Sequence, residues 1–130
     1  MKELTQTIHF YVTPHIVYEA LMDEKIHEGF TEATAKIDRK IGGNFNVWDN
    51  YASGKTLELI QDKKIVQSWR ASDWPKKHFS TITIEFEKDG IGTKLTLTQT
   101  NIPEEQYEDI KQGWYDFYWN KMKKYFETAI

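Results

Sequence analysis

The sequence predicts an α+β fold in which a curved antiparallel sheet of about seven strands is covered by one long C-terminal helix. Three observations support this prediction. Short β-rich segments follow one another closely, turn residues separate them, and the end of the chain changes to a helical period. At 130 residues the chain has the common size of one domain, and we expect residues 1–130 to form a single domain.

The first segments predict a strand followed by a bent pair of short helices. Leu4–Val12 is rich in β-formers and alternates between its two faces, as a strand does. Thr13 and Pro14 are typical of a helix cap and of a first helical position. A second short helix is expected to begin at Asp23.

The middle of the chain predicts an antiparallel meander. Six further strand candidates are Ala33–Arg39, Asn44–Trp48, Lys55–Gln61, Lys64–Ala71, Phe79–Lys88 and Lys94–Asn101. The turn candidates between them are Gly42-Gly43, Asp49-Asn50, Ser53-Gly54, Gln61-Asp62-Lys63 and Asp89-Gly90.

The last segment, from Pro103 to about Thr128, predicts a long amphipathic helix. Large apolar side chains recur there every three or four residues: Tyr107, Ile110, Trp114, Phe117, Met122, Tyr125 and Phe126. No other predicted element is long enough to cover the apolar face of the sheet. We therefore expect this helix to lie across it, which is a helix-grip arrangement.

Composition argues against several classes of protein. The 17 basic and 20 acidic residues nearly cancel and are interspersed, so no nucleic-acid partner is expected. The chain has no cysteine, and its N-terminus lacks the apolar core of a secretion signal. No apolar run approaches the roughly 20 residues that cross a bilayer. We expect a cytoplasmic monomer without a membrane span.

Motifs for catalysis or metal binding are not recognised. The histidines at positions 9, 15, 27 and 78 lie on separate predicted elements, and none has a metal-ligand spacing with another histidine or with a carboxylate on its own face. The sequence Ser53-Gly54-Lys55-Thr56 predicts a tight turn rather than a phosphate-binding loop. No catalytic residue, metal or cofactor is predicted.

Aromatic side chains are expected to meet between the sheet and the final helix. The chain has five Trp, seven Tyr and seven Phe, and each ring can bury about 150–250 Å². The candidates for lining a cavity there are Phe30, Phe45, Trp69, Phe79, Trp114, Phe117 and Tyr118. So many large rings favour a mostly filled gap, and an open ligand pocket is the alternative.

A second candidate site is a contact patch for a protein partner. Trp74 lies in a predicted loop, and an exposed Trp beside cationic residues is typical of such a patch. The candidate partner-binding residues are Arg70, Trp74, Lys76 and Lys77. The alternative is that Trp74 folds back over the edge of the core. Two aromatic residues also fall off the stripe of the final helix, Tyr115 and Trp119.

Several motifs in fixed order suggest a family. They are WR-x3-WP-x2-HFSTITIEF from Trp69 to Phe86, IGGNF from Ile41, SGK from Ser53, and IP followed by QGW-x3-YW from Ile102 to Trp119. With these motifs the chain resembles the C-terminal domain of activators of the heat-shock protein 90 ATPase. That domain is similar to the START-like, polyketide-cyclase and birch-pollen-allergen-like superfamily.

The resemblance implies a function without chemistry of its own. It implies a stress-response accessory protein that binds a heat-shock protein 90-type chaperone and favours its ATP-hydrolysing state. In two-domain activators a separate N-terminal domain supplies much of the binding, and we expect this chain to correspond to the C-terminal domain alone. Because related families hold lipids, polyketides or hormones in the cavity, the alternative is a carrier or sensor of a small hydrophobic ligand. A cyclase-like enzyme is third, and would need an acid/base pair in the cavity.

Overall fold

The computed structural model describes residues 1–129, and its sheet confirms the predicted α+β, helix-grip fold. Seven antiparallel strands pair in the order β1-β7-β6-β5-β4-β3-β2. Strands β2 to β7 therefore pair with their neighbours in the chain. Strand β1 pairs with β7 and forms the edge of the sheet opposite β2. The strands are β1 (Lys2–Phe10), β2 (Ala35–Ile37), β3 (Asn44–Val47), β4 (Ala52–Ile60), β5 (Lys64–Ala71), β6 (Ser80–Asp89) and β7 (Gly92–Ile102).

Two short helices follow β1, as the sequence predicts: α1 (Pro14–Met22) and α2 (Glu24–Thr31). The Thr13 hydroxyl accepts a hydrogen bond from the Ile16 amide at 3.4 Å. The Asp23 carboxylate accepts from the amides of Lys25 and Ile26 at 2.9 and 3.1 Å. These caps satisfy amides that have no partner within the helix, so each helix starts at a defined residue.

The long final helix is confirmed, but it is not α-helical throughout. After a 3₁₀ turn at Glu104–Gln106, it consists of α3 (Tyr107–Trp114), a π-helical turn (Tyr115–Trp119) and α4 (Asn120–Ala129). We refer to residues 107–129 as the C-terminal helix. None of the helices in residues 1–129 has both the length and the apolar character needed to span a membrane.

The π turn overturns the expectation that Trp119 lies off the buried face. The Asn120 amide donates to the Tyr115 carbonyl, a bond that reaches back five residues instead of four. The wider turn rotates the following residues, so Trp119 stacks on Trp114 with ring centroids 5.4 Å apart. Trp119 is completely buried, and Tyr115 is half-buried against the core.

The turn predicted at Ser53-Gly54 is wrong, because Gly54 lies inside β4. The chain reverses earlier, through three residues with left-handed backbone: Trp48, Asp49 and Asn50, with φ of 56°, 53° and 75°. A Cβ atom on Gly54 would lie 1.8 Å from the Ser68 carbonyl oxygen. Glycine is required here for close contact with β5, and not for a turn.

Two buried glutamines fix the C-terminal helix on the sheet. The Trp119 indole N–H donates to Oε1 of Gln6 on β1 at 2.8 Å, and Gln6 Nε2 donates to the Lys111 carbonyl at 2.9 Å. The Trp114 indole N–H donates to Oε1 of Gln99 on β7 at 2.8 Å. Because buried polar groups are costly without partners, these bonds set the rotation of the helix.

Candidate functional site

An apolar cleft opens at one end of the interface between the sheet and the C-terminal helix. Its volume is about 280 Å³, near the lower limit of typical ligand pockets. The expectation of a mostly filled gap is therefore wrong at this end. The cleft is lined by Trp48, Tyr51, Ala52, Trp69, Asp109, Ile110, Gly113, Trp114, Phe117 and Tyr118.

The seven side chains predicted to line the cavity fall into two groups. The structure brings together four of them in the cleft: Trp69, Trp114, Phe117 and Tyr118. The other three lie elsewhere. Phe30 is buried against Tyr118, with ring centroids 5.9 Å apart, and Phe45 borders a separate inner void of about 30 Å³. Phe79 is 41% exposed and lies at an open surface groove that it shares with Lys36 and Ser68, because it precedes β6 instead of pointing inward from it.

The left-handed turn at 48–50 forms one wall of the cleft. Trp48 contacts Phe117 edge to face at a centroid distance of 5.3 Å. The Asp49 carboxylate holds the turn by accepting from the Thr34 amide and hydroxyl at 2.8 and 2.9 Å, and these bonds lower its pKa. Residues with unfavourable backbone angles persist only where their surroundings enforce them. The wall is therefore a fixed part of the cleft.

A buried histidine–tyrosine pair lies beneath the cleft. His27 Nε2 and the Tyr118 hydroxyl are 3.0 Å apart. Burial lowers the pKa of His27 to about 4 and raises that of Tyr118, so both are neutral at pH 7. His27 Nδ1 has no hydrogen-bond partner among residues 1–129. No carboxylate is fully buried among the residues whose side chains are described, and the carboxylate in the cleft lining, that of Asp109, is exposed.

A chain of hydrogen bonds joins the two tryptophans on either side of the cleft. Gln99 accepts from the Trp114 indole and donates from Nε2 to the Ser80 hydroxyl at 3.0 Å. Ser80 in turn donates to the Trp69 carbonyl at 2.8 Å. Sequence reasoning missed Gln99, Ser80, Gln6 and His27 as structural polar residues. The available signal was the strand alternation, which places Gln6 and Gln99 in phase with inward-facing Leu and Ile.

The loop at 72–79, which we call the Trp74 loop, differs from the predicted exposed patch. Trp74 is only 3% exposed, so of the two interpretations the exposed indole is wrong and the buried one is confirmed. It folds back over the core edge, with its ring centroid 5.4 Å from that of Trp69 and 5.7 Å from that of His78. Arg70 braces the loop from within, because its guanidinium donates to the Trp74 and Pro75 carbonyls.

The Trp74 loop exposes a pair of cations and one acidic residue, Asp73. Lys76 and Lys77 are both exposed, and the half-exposed Phe79 follows them. His78 contacts the Asn101 carbonyl at 3.0 Å, and Asn101 donates to the Phe79 carbonyl at 2.9 Å. The loop is thus held at both ends, while contact of Arg70, Trp74, Lys76 or Lys77 with a partner stays a prediction.

One cluster brings a histidine together with two carboxylates. His15 and Glu19 lie one turn apart on α1, and with Asp62 they bring three potential metal-binding groups within 4.8 Å of one another. These groups already have partners. Both Glu19 carboxylate oxygens accept from Arg39 at 2.8 Å, and His15 Nδ1 lies 3.0 Å from Asp62. We expected no histidine to have a metal-ligand spacing with a carboxylate on its own face, and for His15 this expectation is wrong. The absence of a metal stays a prediction.

Comparison with known proteins identifies the family. The family model described as activator of Hsp90 ATPase homolog 1-like protein matches residues 11–127. The chain belongs to this family. Among curated members, the human activator of 90 kDa heat shock protein ATPase homolog 1 is 32% identical over 117 residues, which cover 90% of this chain and 35% of that protein. The chain thus spans about a third of the length of the curated relatives that it matches.

Solved structures of the activator family and its neighbours share the fold. The crystal structure of an HSP90 activator from Plasmodium falciparum superposes with a TM-score of 0.93 at 27% identity, covering 98% of this chain and 97% of that chain. A solution structure of an Aha1 dimer from Colwellia psychrerythraea gives a TM-score of 0.78 at 17% identity and covers 90% of both chains. The latter likeness shows the fold alone.

Proposed function

We propose that this chain is an accessory protein that binds an Hsp90-type chaperone and favours its ATP-hydrolysing state. The observation that carries the proposal is the end-to-end match with the Plasmodium falciparum HSP90 activator, at 27% identity and a TM-score of 0.93. Membership of the activator family over residues 11–127 supports it. In this function the ATP-hydrolysing residues belong to the chaperone.

We further propose that the Trp74 loop presents the chaperone-contacting side chains. Lys76 and Lys77 are exposed there and carry like charges side by side, which complements an acidic surface. Arg70 and Trp74 have a supporting role in this proposal, because the first holds the loop carbonyls and the second anchors the loop to Trp69. The partner would therefore meet the lysines and not the indole.

The test combines the chaperone's ATPase rate with a two-dimensional NMR titration. Addition of the protein is expected to raise the ATPase rate, and addition of chaperone with nucleotide is expected to shift resonances of Lys76, Lys77 and their neighbours. Reversal of both charges, Lys76→Glu with Lys77→Glu, is expected to weaken binding about five-fold at low salt.

A matched control lies at the opposite end of the sheet. Lys63 and Lys88 are exposed there, at the far ends of β5 and β6. Lys63→Glu with Lys88→Glu changes net charge by the same amount and is expected to leave binding nearly unchanged. An unchanged ATPase rate together with an unperturbed spectrum at excess chaperone would refute the proposed function. Equal losses in the two double variants would refute only the assignment to the Trp74 loop.

A second candidate function is a carrier or sensor of a small, largely apolar ligand. The cleft of about 280 Å³ favours it, because aromatic rings form most of its lining. Tryptophan fluorescence against a panel of lipids and aromatic compounds tests it, since Trp48, Trp69 and Trp114 line the cleft. Failure of every compound to change the emission would count against this function.

A further inference from the structure

The mouth of the aromatic cleft carries negative charge. Among the residues that line the cleft, Asp109 is acidic and none is basic. Tyr51, also at the cleft, is 41% exposed, and burial together with the charges of Asp73 and Asp109 raises its pKa. The two carboxylates therefore lie close enough to act on one phenol, although one follows β5 and the other is on α3.

Three basic side chains lie within three residues of these carboxylates in sequence, namely Arg70, Lys76 and Lys111, and none of them lines the cleft. Arg70 is the next-to-last residue of β5, and its guanidinium already donates hydrogen bonds to the carbonyls of Trp74 and Pro75. The Lys111 ammonium lies 5.9 Å from the ring centroid of Tyr107, which is outside the cleft lining. The field at the mouth thus favours a positive ligand over an anion.

The walls of the cleft provide ring faces in several orientations. Trp48 and Phe117 meet at 66°, Tyr51 and Trp69 at 71°, and Trp69 and Trp114 at 40°. Rings that meet at such angles surround a small volume from different sides. A cation within about 6 Å of a ring centroid is attracted by the negative face of the ring, and desolvation strengthens this attraction.

We propose that the cleft binds a small organic cation, namely an ammonium or guanidinium group carried on an apolar body. The rings hold the apolar body and the charged head, and Asp109 attracts the head at the mouth. The volume of about 280 Å³ suits a ligand smaller than a membrane lipid. The proposal rests on the second candidate function, whose ligand class it specifies, and is independent of chaperone binding.

A pair of isosteric probes separates charge from shape. Benzyltrimethylammonium carries a quaternary nitrogen, and neopentylbenzene places a carbon at the same position, so the two differ in charge at nearly equal volume. Binding is followed by calorimetry and by the indole N–H resonances. Trp48, Trp69 and Trp114 are expected to shift most, and Trp74 and Trp119, which contact Trp69 and Trp114 but do not line the cleft, are expected to shift less.

The unmodified protein is expected to bind the cation about ten-fold more tightly than the neutral probe. Asp109→Asn is expected to weaken the cation about three-fold and to leave the neutral probe unchanged. Phe117→Leu removes a ring while retaining an apolar side chain, and is expected to weaken the cation more than the neutral probe. Glu108→Gln makes the same charge change on the same helix, at a residue outside the cleft lining, and is expected to change neither affinity.

The outcomes distinguish this inference from the functions above. Neutral binding as tight as cation binding, or an unchanged cation affinity in Asp109→Asn, overturns the inference and leaves the carrier function standing. Absence of binding by both probes at millimolar concentration overturns the inference and counts against the carrier function for ligands of this size. Neither result bears on the chaperone titration, which is followed at Lys76 and Lys77 and not at the cleft tryptophans.

Discussion

The two ends of the interface between the sheet and the C-terminal helix are built from similar side chains but are packed differently. At the closed end, Trp119 and Met122 are fully buried, and Phe10 contacts Phe126 with ring centroids 5.6 Å apart. At the open end, a cleft of about 280 Å³ remains, and Phe117 at its edge is 51% exposed. Aromatic rings are abundant at both ends.

The difference follows from what covers each end. The insertion of α1 and α2 after β1 places Phe30 against Tyr125 of the C-terminal helix, with ring centroids 6.3 Å apart. At the open end, neither α1 nor α2 contributes a residue to the cleft lining, and the tight turn at 48–51 supplies Trp48 and Tyr51. Whether an end of the interface is open therefore depends on which connecting segments cover it, and not on the number of large rings.

The largest effect is expected from removing a ring at the closed end. Trp119→Ala would leave a cavity and deprive Gln6 of its indole donor, so the free energy of unfolding is expected to fall by about 3–5 kcal/mol. Urea denaturation followed by circular dichroism measures the loss. Trp119→Phe keeps most of the volume and should lose less. A loss below about 1 kcal/mol for the alanine variant would mean that the closed end is not tightly packed.

The buried histidine between the two ends is expected to make stability depend on pH. The pKa of His27 is about 4 in the folded protein and near 6.5 without burial, so the unfolded chain takes up the proton first as the pH falls. The contribution of neutral His27 to the free energy of unfolding is fully present above pH 6.5. It decreases as the pH falls towards 4, by about 3 kcal/mol in total.

Denaturation at a series of pH values checks this prediction, with His27→Gln as the reference that lacks the titrating group. The difference in the free energy of unfolding between the two proteins should change between pH 6.5 and pH 4 and stay constant above pH 6.5. In NMR spectra of the folded protein, the ring protons of His27 should not titrate near pH 6.5. Titration at that pH would show that the ring is hydrated.

An intermediate effect is expected from the polar connection across the open end. Gln99→Leu removes the acceptor of the Trp114 indole and the donor to Ser80, and is expected to cost about 1–3 kcal/mol. The Trp114 indole proton should move upfield, while that of Trp119, bound to Gln6, should hardly change. An unmoved Trp114 signal would contradict the observed hydrogen bond.

The smallest effect is expected at the edge of the cleft. Phe117→Ala removes a ring that is half-exposed, so the free energy of unfolding should fall by less than about 1 kcal/mol. The same urea experiment that measures Trp119→Ala provides the comparison. Similar losses in the two variants would show that the open end is as closely packed as the closed end in solution.

Local patterns made most of the fold predictable. Thr13 and Asp23 cap the two helices where their sequences indicate, and the alternating strand Lys64–Ala71 has the same bounds in both the prediction and the structure. Such features depend on neighbouring residues only. Gly54 was misplaced because its conformation responds to Ser68 on another strand, which no local pattern reports.

The candidate site was less predictable, because it depends on long-range packing. Trp69, Trp114, Phe117 and Tyr118 were among the aromatic residues expected in the gap, and they line the cleft. Sequence alone gives no volume, so the same set of rings favoured a mostly filled gap. Trp74 was a candidate for surface contact because it lies in a loop, with folding back over the core as the alternative. The structure has the alternative: Trp74 packs on Trp69, and the Arg70 guanidinium binds the carbonyls of the loop.

The π turn of the C-terminal helix has a consequence for tolerance to changes in chain length. The π turn accommodates one residue more than an α-helical turn, so removal of one residue from Tyr115–Trp119 would restore the α-helical count and leave α4 on nearly the same face relative to α3. Insertion of a further residue there would instead turn α4 by about 100°, and Met122 and Phe126 would leave the core. Because Gln99 holds Trp114 and Gln6 holds Trp119, the sheet fixes the face that both tryptophans present, so a shortened turn is tolerated and a lengthened one is not.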